Sequence, residues 1–183
     1  MRSVLALLVL AFVIVSGCSG GADPTTTSSV ATLGLADAPA GSNVPIGRGD
    51  EAPAFTGELL SGEQLTLESL RGQPVVVNFW LTTCEPCLRE MPLLADAAGE
   101  SEDLVVVGVN YGEPAASVER YVDGFDVDLG FPILLDHDGE IGDSFGILVF
   151  PTTYFIDRNG IVQYRRVGEL ADRHLGEGLS RIR

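Results

Sequence analysis

Lysine is absent from this 183-residue chain, so all 11 of its basic side chains are arginine, against 26 aspartates and glutamates. The formal net charge of −15 excludes the clustered basic surface that phosphate contacts require, so nucleic acid is not an expected partner. What remains is an acidic, well-solvated exterior. Histidine is almost as scarce, with only His137 and His174. A closed zinc site takes about four ligands. Neither histidine stands in a ligand-like spacing to a cysteine, so no metal is expected. Cysteine occurs three times, too few for a fold stapled by disulfides. The apolar run Val4–Val15 holds about 12 residues and is too short to span a bilayer comfortably. Against these absences stands 45% hydrophobic content, enough for one normal globular core. The length suits one domain with appendages.

The Val4–Val15 run follows a single basic residue, Arg2, and reads as the apolar centre of a signal peptide occupying residues 1–17. It leads into Val15-Ser16-Gly17-Cys18. Small residues directly before a cysteine, just after such a run, resemble a bacterial lipobox. That resemblance implies cleavage before Cys18, lipidation of its sulfur and stable anchoring by several acyl chains. Ordinary cleavage with a free Cys18, or an uncleaved anchor helix, are the alternatives. All three place the remainder outside the cytoplasm, where disulfides persist. Residues 18–49 are rich in Gly, Ser, Thr, Ala and Pro, have no apolar period, and read as a flexible tether.

The pattern changes at residue 50. Short strand-like pieces at 55–60 and 64–67 flank Ser61-Gly62, with one helical turn at 67–70. Residues 75–80 (VVVNFW) form a continuous β-branched and aromatic run, as a strand buried on both faces requires. A helix follows from Glu85 to about Ala98, with Leu88, Met91, Leu94, Ala95 and Ala98 on one face. Pro92 lies inside it and predicts a kink. Then come a buried strand (104–110), a helix (114 to about 124), a strand (131–135), a short helix (140–145) and a strand (152–156). The turn Asp157-Arg158-Asn159-Gly160 carries the Asn-Gly hairpin signal. A return strand (161–166) and a closing helix (169–182) finish the chain. This order predicts an α/β fold with a mixed sheet flanked by helices.

The chemistry concentrates in Cys84-Glu85-Pro86-Cys87, at the junction of a buried strand and a helix. Unpaired amides and the dipole at a helix tip favour an anion, and thiols in such motifs titrate well below the usual ~8.5. A thiolate is the nucleophile in disulfide exchange. The spacing places both sulfurs within bonding reach on the first turn. Cys84, at the tip, is the expected attacking thiol. Cys87, one turn in, is the expected resolving thiol. Pro86 suits an early helical position. Glu85 between them opposes a thiolate modestly or sets a charge preference among partners.

Residues 74–92, PVVVNFWLTTCEPCLREMP, together with Ala52-Pro53-Ala54-Phe55 and the stretch 150–157 (FPTTYFID), resemble the ResA/TlpA type of bacterial thioredoxin-like thiol–disulfide oxidoreductase. The resemblance covers roughly 50–183. It implies a thioredoxin fold with an N-terminal β extension and a central insert. The redox pair would be Cys84 and Cys87, with no cofactor beyond their disulfide. Pro151 matches the proline that is cis in this fold, and Phe150 precedes it at a substrate-facing position. Trp80, Glu85 and Pro86 join these as expected substrate-binding residues. Glu90 matches a glutamate near the active site of ResA-like reductases, where a carboxylate shuttles protons to the buried thiol. The alternative for Glu90 is a solvated helix carboxylate. Asn78 takes the place of a buried aspartate of ordinary thioredoxins. Thr83 departs from the family, which usually has Trp directly before the first cysteine.

His137 and His174 read as exposed, Arg165 and Arg166 as a solvated strand end, and Asn110 and Tyr111 as packing residues near the site. The resemblance further implies protein thiol or disulfide clients, such as CxxCH haem-attachment sites or copper-site proteins, and a membrane thiol-electron donor. A monomer held at the outer face of the cell membrane is expected. Three other functions remain open: a disulfide-forming oxidase, a peroxiredoxin-like peroxidase, and a non-enzymatic copper chaperone. Leu81 stands where a peroxidatic Thr-x-x-Cys would have threonine.

Overall fold

A computed structural model describes residues 45–124 and 129–183 of the chain. The expected signal segment, Cys18 and the tether up to residue 44 lie outside the described residues. Among those described, no helix is long and apolar enough to cross a membrane.

The elements follow the predicted order. They are β1 (Thr56–Leu59), β2 (Gln64–Thr66), a 3-10 turn (Leu67–Leu70), β3 (Val75–Trp80), α1 (Glu85–Glu100), β4 (Val105–Tyr111) and α2 (Ala115–Val122). Then come β5 (Ile133–Asp136), α3 (Glu140–Phe145), β6 (Thr152–Ile156), β7 (Val162–Val167) and α4 (Asp172–Ile182). The described strands form one sheet in the order β2-β1-β5-β4-β3-β6-β7. β3, β4 and β5 run parallel, while β6, β7, β1 and β2 pair antiparallel. This mixed α/β sheet is a thioredoxin-like fold.

β3 is central because every one of its residues is buried. Alternation sends Val76 and Trp80 to one face and Val75, Val77 and Phe79 to the other. The first face meets Cys87, Met91 and Leu94 of α1, Val118 of α2, and Leu175 and Leu179 of α4. The second meets Phe145 of α3 and Leu67 of the 3-10 turn. Each fully buried large apolar side chain contributes about 1.5–3 kcal/mol. α4 can lie this close to the sheet because residue 178 is glycine. A Cβ there would stand 2.4 Å from the Phe155 ring.

Several expectations are adjusted. The buried stripe of α1 is Cys87, Glu90, Met91, Leu94 and Ala97, not the one containing Leu88, Ala95 and Ala98, which are half-buried. Helix α1 continues through Pro92 to Glu100. The closing helix starts at Asp172 rather than 169, because Ala171 before it holds extended backbone (φ −112°, ψ 164°). The hairpin turn forms as predicted: Asp157 Oδ1 accepts from the Asn159 and Ile161 amides, and Gly160 takes a positive φ of 79°. That conformation suits glycine.

Candidate active site

Three chain segments meet at one edge of the sheet. Trp80 of β3 lies beside Asn110 of β4, and Phe79 of β3 lies beside Thr152 of β6. The carboxyl ends of β3 and β4 and the amino end of β6 therefore share that edge. The loops there carry Thr82–Cys84, Glu113 and Phe150–Pro151.

Cys84 caps α1 in extended backbone (φ −90°, ψ 98°), and its sulfur accepts from the Cys87 amide at 3.3 Å. Cys84 and Cys87 are bonded, with their Cα atoms 5.3 Å apart. Cys84 is half-buried, whereas Cys87 has no exposure. A partner sulfur can therefore reach only the former. Pro86 sits in the first turn of α1. Glu85 is exposed, and Arg89 lies 3.6 Å from it one turn on, so its charge is partly met rather than aimed at Cys84 alone.

Glu90 is the unusual group. It lies one turn beyond Cys87 on the same helix face and is only 1% exposed. Asn78 Nδ2 donates to its Oε1 at 2.7 Å and to Thr153 Oγ1 at 3.0 Å. The Leu170 amide donates to Oε2. Burial pushes the Glu90 carboxyl up from its ordinary 4.5 to about 7, against the opposing pull of these two hydrogen bonds. A solvated helix carboxylate is thereby excluded. Such a group exchanges its proton near neutral pH.

The Phe150–Pro151 bond is cis. Pro151 is buried, and its carbonyl accepts from the Gly168 amide at 2.8 Å. The Phe150 ring packs against Tyr111 with centroids 5.3 Å apart. Beside this loop Leu148 and Val149 are exposed. Trp80, expected among the substrate-binding residues, has no exposure and packs on Tyr121, because alternation along β3 turns its side chain into the core. His174, expected at the surface, lies against the fold instead. It is buried because its Nδ1 accepts from the Ala171 amide at 3.2 Å, which folds the ring over the start of α4. Arg165 and Arg166 are half-buried and donate to the carbonyls of Ile46 and Glu169. His137 is exposed.

Sequence reasoning missed Glu113. Its Oε2 accepts from the Thr82 amide and from Asn110 Nδ2, both at 2.7 Å, and its Oε1 accepts from the Thr82 hydroxyl at 2.6 Å. It ties the loop before Cys84 to the end of β4. Its position just past a parallel strand's carboxyl end, where sites gather in α/β sheets, was the available signal.

The sheet order and the bonded cysteine pair at a helix tip define a class, that of thioredoxin-fold proteins built for thiol–disulfide chemistry. A family model described as the AhpC/TSA family matches residues 48–165. The thioredoxin-like protein YneN of Bacillus subtilis is 38% identical over 140 residues, covering 74% of this chain and 81% of that protein. The thiol-disulfide oxidoreductase ResA of Halalkalibacterium halodurans is 35% identical over 137 residues, covering 74% and 77%. Among solved structures, the exposed lipoprotein thioredoxin of Streptococcus pneumoniae matches with a TM-score of 0.64 at 26% identity, covering 70% of this chain and 98% of that one. The chain belongs to the ResA/TlpA-type thioredoxin-like thiol–disulfide oxidoreductases. The working group of this class is a redox-active disulfide. Among the described residues no group of three or more His, Cys, Asp and Glu could hold a metal.

Proposed function

We propose that this protein is an extracytoplasmic reductase of protein disulfides, tethered to the outer face of the membrane through Cys18 and acting as a monomer. The observation that carries the reading is the pairing of a reachable Cys84 with a fully buried Cys87 and an equally buried Glu90 one turn beyond. In the reduced state the Cys84 thiolate attacks a client disulfide. A Cys84–client bond forms, and one client sulfur leaves as a thiolate. Glu90 takes the proton of the Cys87 thiol. The Cys87 thiolate then attacks the Cys84 sulfur, closes the disulfide and expels the second client sulfur. Two electrons pass to the client, and a membrane thiol donor restores the dithiol. The helix tip stabilises the leaving and attacking thiolate at Cys84. Phe150, Pro151, Glu85 and Pro86 are the residues proposed to meet the client around Cys84.

Disulfides at CxxCH haem-attachment sites are the client class that the family resemblance implies. The exposed-lipoprotein name of the pneumococcal neighbour supports the tether. A Cys87→Ser variant should trap clients on Cys84, and their identification names the substrate. A Cys84–Cys87 potential below the glutathione range of about −220 to −260 mV is the expected result. A potential near the strongly oxidising proteins at about −120 mV would make the protein an oxidase instead. Loss of membrane association in a Cys18→Ala variant tests the anchor.

A further inference from the structure

Helix α1 grips the loop between β7 and α4 with two successive residues. Arg89 Nε donates to both carboxylate oxygens of Glu169 at 3.1 Å, and Nη2 donates to Oε2 at 2.7 Å. The next residue, Glu90, accepts from the amide that follows Glu169, that of Leu170. Arg166 Nε holds the Glu169 carbonyl from β7 at 3.2 Å. The Leu170 side chain, 3% exposed, is anchored in the core cluster that also holds Cys87. The loop is thus pinned at its side chain, its carbonyl and its following amide, and that amide ends on the site's buried carboxylate.

We infer that the Arg89–Glu169 ion pair is a positioning clamp that keeps the Leu170 amide on Glu90 and so sets when Glu90 can accept the Cys87 proton. The pair is half-exposed, at 50% and 40%, and pairs of that kind add little to folding stability. A forked Arg–carboxylate contact does fix geometry, which is what the Leu170 amide needs. The surroundings of Glu90 leave the clamp a clear effect. β3 and β6 contribute neutral Asn78 and Thr153. β7 contributes Arg166, which favours the Glu90 anion, and the loop contributes Glu169, which opposes it. α1 itself carries Arg89, Glu85 and Cys87, and α4 carries His174 in its first turn. Removing Arg89 loosens the amide and leaves the Glu169 charge without its counter-ion. Both changes disfavour the anion and raise the proton affinity of Glu90.

The inference deepens the proposed role of Glu90 and rests on it, so the test reads Glu90 without a client. The carboxyl titration of Glu90 is followed by infrared difference spectroscopy in the oxidised protein, with a Glu90→Gln sample identifying the band. Arg89→Met should move the midpoint up by about half a pH unit or more. Arg89→Lys, a charge without the fork, should fall between the two. Urea midpoints below pH ~4.5, where Glu90 is protonated in the folded and unfolded chain alike, should hardly change. An unmoved Glu90 titration in Arg89→Met overturns the clamp, as does a shift matched by a large loss of stability. Exchange with a small disulfide, measured across pH on the same samples, separates the two readings. A shifted titration with an unshifted exchange profile supports the clamp while removing Glu90 from the exchange step.

Discussion

Replacing Glu90 with glutamine isolates the cost of a buried carboxylate. Glu90 is 1% exposed, and burial holds its carboxyl near 7 against an ordinary 4.5. At about 1.36 kcal/mol per pH unit, that gap amounts to roughly 3 kcal/mol. The sign follows from proton binding. Below pH ~4.5 the group is protonated in both folded and unfolded chains, so its charge costs nothing. As pH rises toward and through about 7, the unfolded chain ionises first, and the folded protein progressively loses stability. Glutamine stays neutral throughout. Asn78 Oδ1 is buried without a hydrogen-bond partner among the described residues. A flip of the Asn78 amide therefore lets it accept from the new side chain. The stability of Glu90→Gln minus that of wild type should rise by about 3 kcal/mol between pH ~4.5 and ~8. Urea unfolding of the oxidised proteins, followed by the fluorescence of the single Trp80, measures it. Ionisable groups common to both chains cancel in the difference. A flat difference across that range would refute the assignment of Glu90 as a high-pKa acid, and with it the proposed proton transfer from Cys87.

Glu113→Ala should destabilise the protein by about 2 kcal/mol, because the buried Asn110 amide loses its acceptor and Thr82 loses two bonds; chemical denaturation measures it. The same variant should also slow attack through Cys84 in a small-disulfide exchange assay, since the preceding loop is released. Gly178→Ala should cost about 1–3 kcal/mol by forcing a methyl into the Phe155 ring. A thermal melt should show a lowered midpoint, and an unchanged one would mean that α4 does not lie this close to the sheet.

Much of the frame was legible because its signals are local. The strand at 75–80 announced itself by an unbroken apolar run, and the hairpin by Asn159-Gly160. The cysteine pair marked the helix tip through its spacing together with the buried strand before it and the helical pattern after it. Residues joined only through space left weaker traces. Trp80, next to the motif in sequence, reads as a substrate-facing residue, yet alternation along β3 turns it into the core. His174 reads as a surface residue, because a polar residue in a helical pattern gives no sign that it will bond its own N-terminal backbone. Glu113 and Glu169 looked like two more charges in an acidic chain. Glu113 stands 31 residues from Thr82, and Glu169 stands 80 residues from Arg89.

The sequence by itself determined the thiol chemistry and the strand-to-helix seat of Cys84, since both depend on residues within a few positions of one another. Only the tertiary structure decided the state of Glu90. A carboxylate on a helix is ordinarily solvated. Here β3 supplies Asn78 and the loop before α4 supplies the Leu170 amide. Together with the surrounding core they exclude water, which moves the proton affinity of Glu90 into the range where it can serve a thiol.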